Sequence, residues 1–179
     1  MLKAILIVVV VLVAVCAVVA LIGSRLPVAH VASRSIDLPT SPDSVFRTIS
    51  DFAAAPSWRT GLKSVEILSA PGEPVRFVEV TSQGRMEMAV EKLIPGEKMV
   101  TRITDKSLPY GGAWAFAIVP SGTGSTITIT EHGEVYNVLF RFMAKYIFGH
   151  EKTMDDYLKA LAKKYGVTAE PRDGAVVAL

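Results

Sequence analysis

Two ionisable side chains lie on the apolar faces of predicted elements, Glu131 on a strand and His150 on a helix. In the segment TITITEHGEV, Ile127 and Ile129 alternate with threonines, and this period of two puts Glu131 on the same side as the isoleucines. A carboxylate and an imidazole that point into one gap would act as acid and base, or bind the polar end of a ligand. The alternatives are a structural pair, or a Glu131 that caps the end of a barrel beside a His150 that reaches solvent.

Other patterns for catalysis or cofactor binding are missing from the sequence. The histidines, at positions 30, 132 and 150, lack the spacing of a metal site, and a single cysteine excludes a disulfide framework and a cysteine-based zinc site. No nucleophile elbow, P-loop or dinucleotide fingerprint is present. With Lys+Arg 19 against Asp+Glu 17 and no basic block, the charge does not favour nucleic-acid binding. We therefore expect no metal, no cofactor and no nucleic-acid partner.

The N-terminal segment predicts a membrane anchor. Residues 4–22 form 19 consecutive positions without a charge, amide or hydroxyl. As a helix they would cover roughly 28 Å, close to the thickness of the hydrocarbon core. A cleaved signal peptide is the alternative, but its apolar region is normally shorter and precedes a small-residue cleavage site. Lys3 precedes the span, and Arg25 and Arg34 follow it, so charge hardly separates the two orientations, of which we favour an extracytoplasmic domain.

The rest of the chain predicts an α+β domain. A strand over 30–38 precedes a helix with Ser41 as N-cap and Pro42 at its first position. Glycine and proline turns then divide a region of period two into six strands, over 62–70, 74–82, 85–94, 97–105, 112–120 and 124–136. Residues 137–165 predict one long amphipathic helix. Its apolar stripe contains Leu139, Met143, Ile147, His150, Met154, Leu158, Leu161 and Tyr165.

This order of elements resembles the helix-grip (SRPBCC) superfamily, which contains START lipid-transfer domains, birch-pollen-type allergens and polyketide cyclase/dehydrase proteins. The stretches that resemble the cyclase/dehydrase-type members are VFRTISDFAAAPSW, GSTITITEHGEV and FRFMAKYIFGHEKTMDDYLKALAKKYG. The departure from their pattern is Ala54-Ala55-Pro56, where many relatives carry bulkier or charged residues. The resemblance implies a seven-stranded curved antiparallel sheet that grips the long helix around an apolar cavity. The domains would be an anchor over 1–25, a helix-grip domain over 26–166 and a flexible tail over 167–179.

The cavity implied by the resemblance would be lined by inward-facing side chains. On one strand, Met86 and Met88 alternate with charged residues, and flexible methionines suit a wall that adapts to its ligand. The predicted lining residues are Trp58, Met86, Met88, Met99, Trp114, Phe116, Glu131, Met143 and His150. The same side chains could instead fill a core, since methionine and aromatic residues commonly do so.

These patterns predict a membrane-anchored domain that binds or carries a hydrophobic or amphipathic small molecule, such as a lipid, a quinone or a polyketide-like compound. Two alternatives remain open. One is a polyketide cyclase/dehydrase-type enzyme that uses Glu131 and His150, although a single acid–base pair is a sparse catalytic set. The other is a protein-interaction domain with a filled cavity. The sequence does not indicate an oligomeric state.

Overall fold

A computed structural model describes the backbone of residues 1–179 and every side chain except that of Phe148. The strands are β1 (Ala29–Leu38), β2 (Leu62–Ile67), β3 (Arg76–Thr81), β4 (Arg85–Ile94), β5 (Lys98–Ile103), β6 (Tyr110–Ser121), β7 (Gly124–Val135) and β8 (Arg172–Asp173). The helices are α1 (Leu2–Arg25), α2 (Pro42–Ser50), a 3-10 turn (Ala55–Ser57), α3 (Val138–Met143), a π-helical turn (Ala144–Phe148) and α4 (Lys152–Lys164).

All eight strands form one antiparallel sheet in the order β2-β3-β4-β5-β6-β7-β1-β8. Strands β2 to β7 follow one another as a meander, because their connections are too short for crossovers. The first strand then pairs with β7, from Ala29 opposite Glu134 to Leu38 opposite Ser125. The predicted α+β fold is confirmed, and the tail adds the two-residue β8 to the seven predicted strands.

Helix α2 begins as the sequence predicts. The Ser41 hydroxyl accepts a hydrogen bond from the Ser44 N–H at 3.4 Å, and Pro42 occupies the first turn, where its missing N–H costs nothing. The helix buries Val45 and Ile49 against the inner face of the sheet. Helix α4 packs on the same face, so the two helices enclose the core between themselves and the sheet.

A correction concerns the helix predicted over 137–165, which the structure divides into α3, the π-helical turn and α4. The break lies at Gly149, whose φ of 73° and ψ of 164° are open to glycine and strained for other residues. The predicted stripe therefore splits. Leu158 in α4 is fully buried, whereas Leu139 and Ile147 in the first half are 44% and 62% exposed.

The tail, for which the sequence predicts flexibility, lies against the outer face of the sheet. The Val177 N–H donates to Thr130 Oγ1 at 2.9 Å, and the Val177 carbonyl oxygen lies 2.8 Å from His132 Nε2. Ser33 Oγ donates to the Ala175 carbonyl at 2.9 Å. Through these bonds the tail covers the polar, outward face of β1 and β7.

Helix α1 is long and apolar enough to cross a membrane, a property that signal sequences near an N-terminus share. Its last turn contacts α3. The backbone at Gly23 lies so close to the Val138 carbonyl that a Cβ at position 23 would overlap it. Arg141 Nη1 also donates to the Leu26 carbonyl at 3.0 Å. These contacts attach the apolar helix to the domain, in addition to the covalent link between them.

Candidate ligand-binding site

Three ionisable side chains meet at one end of the inner face of the sheet, and we call them the histidine–glutamate cluster: His30, Glu131 and His150. Glu131 Oε1 lies 2.8 Å from His30 Nε2. Its other oxygen, Oε2, accepts a hydrogen bond from Trp114 Nε1 at 2.8 Å. The His150 ring stacks on the His30 ring, with 3.7 Å between centroids and 27° between planes. His30 thus lies between Glu131 and His150, the two residues predicted from the sequence.

Antiparallel pairing positions the cluster. Trp114 on β6 lies directly opposite Glu131 on β7, and His30 on β1 lies opposite Gly133 on β7. A Cβ at position 133 would overlap the His30 imidazole and come within 2.9 Å of Glu131 Oε1. Glycine at this position therefore makes room for the histidine. The interruption of the helix at Gly149 in turn brings His150 back over the sheet.

The cluster is mostly enclosed, with 15% of the His30 side chain and 20% of the Glu131 side chain exposed. Burial lowers the pKa of His150, the neighbouring His30 lowers it further, and Glu131 opposes the change. The shift favours the neutral form of His150 at pH 7, in which one nitrogen donates and one accepts. A neutral imidazole beside a carboxylate suits hydrogen bonding to a hydroxyl or carbonyl group, and it is also the arrangement of an acid–base pair.

Two imidazoles and a carboxylate are also a donor set for zinc, and the ligand atoms of the cluster all lie within 4.8 Å of one another. A ring nitrogen binds metal through a lone pair in the plane of its ring. Because the His30 and His150 planes are nearly parallel, their lone pairs do not converge on one point, and a shared ion would require the rings to turn. The expectation that the site holds no metal stays a prediction.

A second polar group on the inner face consists of Arg59, Glu79 and Tyr157. Arg59 forms a two-pronged ion pair with Glu79, in which Nη2 donates to Oε2 at 3.1 Å. The guanidinium lies 5.0 Å from the centre of the Tyr157 ring, within the range of a cation–π contact. Burial raises the pKa of the Tyr157 phenol, and the nearby Arg59 opposes the change.

Tyr157 connects the two polar groups. Its ring makes edge contacts with Trp114 at 5.8 Å and with Trp58 at 5.2 Å between centroids. The Nε1 of Trp58 is buried and has no hydrogen-bond partner among the described side chains. The inner face thus carries a continuous aromatic surface with a polar group at each end, a pattern suited to a molecule that is partly apolar.

Sequence reasoning missed His30, Arg59, Glu79 and Tyr157. A signal for two of them was available in strand parity, since Glu79 lies on the same side of its strand as the buried Phe77. His30 likewise shares its parity with the buried Ile36. No pattern marks Arg59, which lies in a loop.

The predicted lining residues occupy different depths. Met99 and Phe116 belong to the buried core cluster, and Trp58 and Trp114 pack against it. Three predicted methionines lie outside that cluster. Met88 is buried, and Met86 and Met143 are half-buried. Side chains from α2, α4 and the sheet make up that core cluster. Contact with a ligand at these positions stays a prediction.

Two open depressions lie on the described surface, and the second includes Trp58 of the aromatic surface. One is lined by residues near Phe52 and Pro71, and the other by residues near Thr48, Trp58 and Tyr165. Neither contains a member of the histidine–glutamate cluster.

The sequence model of a family described as polyketide cyclase / dehydrase and lipid transport matches residues 29–166. The chain therefore belongs to this family. No curated protein matches the chain. The match excludes α1 and the tail after Gly166, and it covers both polar groups of the inner face.

Solved structures with the same fold include a START superfamily protein from Mycobacterium smegmatis, with 21% identity, a TM-score of 0.62 and coverage of 76% of this chain and 97% of that one. A norcoclaurine synthase point mutant from Thalictrum, in complex with a transition-state analogue, is 13% identical, with a TM-score of 0.62 and coverage of 77% and 94%. The Thalictrum flavum enzyme with dopamine and hydroxybenzaldehyde is also 13% identical, with a TM-score of 0.60 and coverage of 76% and 86%. The fold is the START-like helix-grip fold, and the family supports hydrophobic ligand binding in general.

Proposed function

We propose that this chain is a membrane-anchored domain that binds or carries an amphipathic molecule, such as a lipid, a quinone or a polyketide-like compound, taken from the adjacent bilayer. The observation that carries the proposal is the position of the histidine–glutamate cluster relative to α1. His30 follows Arg25, the last residue of α1, by five positions. Five residues extend at most about 17 Å. The end of the inner face that carries the histidine–glutamate cluster is therefore the end nearest the anchor.

The chemistry of the inner face supports an amphipathic ligand. A hydroxyl, carbonyl or headgroup oxygen would hydrogen-bond to the neutral His150, and Glu131 would accept from a ligand donor. The apolar part would lie along Trp114 and Tyr157, whose rings are already in edge contact. Met86 is half-buried at the margin of the same face and is flexible enough to make room.

The anchor supports the same proposal. Tethering holds the domain next to molecules dissolved in the bilayer and raises their effective concentration. Exposure of the domain on the extracytoplasmic side is part of the proposal, as is a single membrane span over 4–22. One structural neighbour, the norcoclaurine synthase of Thalictrum flavum, binds dopamine and hydroxybenzaldehyde. Turnover of a bound ligand is therefore the outcome that would favour the enzymatic alternative.

The test is native mass spectrometry of the full chain, extracted from its own host membranes in a mild detergent, together with organic extraction of bound molecules. We expect a stoichiometric apolar compound on the parent and a loss of most of it from His150→Ala. His132→Ala is the matched control, because His132 neighbours Glu131 on β7 but contacts the tail on the opposite face. A parent without any bound compound, or equal occupancy in all three proteins, would contradict the proposal. If the parent converts the bound compound chemically and Glu131→Gln does not, the result would instead favour an enzyme.

A further inference from the structure

We infer that residues 138–147, which form α3 and most of the π-helical turn, are a second membrane contact that lies in the headgroup region beside α1. We call them the interfacial segment. The inference rests on the proposed anchoring of the chain by α1. Its basis is a contact that fixes the depth of the segment and an apolar surface that the domain leaves uncovered.

The contact with α1 fixes the depth. Gly23 is the first residue after the proposed span of 4–22, and it is the one residue of α1 that is buried. The group that buries it is the Val138 backbone at the start of α3, with Phe142 one turn further on. Arg141 fastens the same junction, because Nη1 donates to the Leu26 carbonyl and Nη2 to the Tyr136 carbonyl at 3.1 Å. The interfacial segment is therefore held at the level where the span leaves the hydrocarbon core.

The outward surface of the segment is apolar. Four large side chains within nine residues are 44% to 62% exposed: Leu139, Phe140, Tyr146 and Ile147. Two of them continue the stripe whose second half, in α4, is buried in the core. An apolar patch of this kind is unfavourable in water and marks a surface that something covers.

Lipid is the occupant that fits this surface. The patch adjoins α1, so a bilayer that contains the span reaches it without any further partner. A tyrosine such as Tyr146 is favoured at the level of the headgroups, and a phenylalanine such as Phe140 is typical of the apolar face of an interfacial helix. The exposed Lys145 adds a positive charge that attracts anionic lipid at the same depth. An amphipathic segment with these features is expected to lie in the plane of the interface.

This contact has a consequence for the ligand site. The segment leads directly into Gly149 and His150, so the histidine–glutamate cluster lies immediately beneath a membrane-bound element. A ligand that leaves the bilayer beside the segment would meet His150 before it meets the aromatic surface.

Spin labels on the full chain test the inference. Cys16 is the only cysteine, so Cys16→Ala gives a background in which Phe140→Cys or Ile147→Cys carries the single label. The protein is reconstituted into vesicles of phosphatidylcholine and phosphatidylglycerol, and the accessibility of each label to oxygen and to a water-soluble nickel chelate is measured. Leu93→Cys and Val119→Cys are controls, because these apolar residues are 48% and 54% exposed on the sheet. Leu12→Cys reports on the span.

We expect the ratio of oxygen to nickel accessibility at positions 140 and 147 to exceed that at 93 and 119 by more than about threefold, because the segment lies below the water boundary. Equal ratios at the four positions, with a buried label at position 12, would overturn the inference and leave the proposed anchoring intact. Water-accessible labels at all five positions would overturn both. Tryptophan fluorescence of Trp58 and Trp114 checks that each variant is folded.

Discussion

Replacing Glu79 by leucine should lower the free energy of unfolding by about 3 kcal/mol, because it removes the counter-ion of a buried charge. Only 10% of the Glu79 side chain and 22% of the Arg59 side chain are exposed. After the substitution the guanidinium keeps its place over the Tyr157 ring but loses both carboxylate oxygens. Breaking a buried pair costs about 3–5 kcal/mol, and the residual exposure of Arg59 favours the lower end of that range.

Two further variants make the expectation specific. In the double variant Arg59→Met/Glu79→Leu neither charge needs to be desolvated, so its stability should lie within about 1 kcal/mol of the parent. The matched control is Glu66→Leu on β2, which removes the partner of Arg85. That pair has side chains that are 47% and 59% exposed, and its loss should cost less than about 1 kcal/mol.

The assay is denaturant unfolding of the full chain in a mild detergent, followed by tryptophan fluorescence. Both tryptophans of the chain, Trp58 and Trp114, contact Tyr157, so the signal reports on the inner face and not on α1. If Glu79→Leu costs no more than Glu66→Leu, the Arg59–Glu79 pair does not behave as a buried ion pair. If the double variant is as unstable as Glu79→Leu, lost packing rather than the unpaired charge explains the effect.

Three other predictions concern stability. Gly133→Ala should destabilise the protein by about 1–3 kcal/mol through overlap with the His30 ring, and a double-mutant cycle of unfolding free energies should show most of that cost removed by His30→Ala. Because folding lowers the pKa of His150 below its ordinary 6.5, the unfolded chain takes up this proton first. Stability should therefore fall as the pH drops below 6.5 more steeply in the parent than in His150→Gln, and equal slopes in unfolding titrations between pH 8 and pH 5 would contradict this. Deletion of 172–179 removes the bonds of Val177 to Thr130 and His132, while Thr130 keeps Ser33 as a partner. At about 0.5–1.5 kcal/mol per hydrogen bond, the deletion should cost about 1–2 kcal/mol, measured as a lower denaturation midpoint.

Local patterns in the sequence were sufficient for most of the fold. Strand β4 has the predicted bounds of 85–94, and α2 starts at the predicted cap, since turn residues and side-chain alternation act over a few neighbouring positions. The inward direction expected for Glu131 follows from the same alternation, and in the structure this side chain bonds to Trp114 on the inner face. The same rule would have indicated Glu79.

The break at Gly149 was beyond local pattern, because an apolar stripe continues through it in the sequence. Nothing in that stripe distinguishes residues that face a core from residues that face a second surface. Only packing decides, and it places Leu158 against the sheet while Ile147 stays exposed.

The sequence by itself determined the elements of this protein: an apolar N-terminal helix, a meander of strands with a defined inward face, and a carboxylate on that face. Tertiary structure alone decided which side chains meet. His30 reaches Glu131 across 101 positions of the chain through the pairing of β1 with β7, and Arg59 reaches Glu79 from a loop without periodicity. Alternation specifies the side of a strand on which a residue lies, but the partner opposite it depends on long-range register, which is set by the packing of the whole sheet.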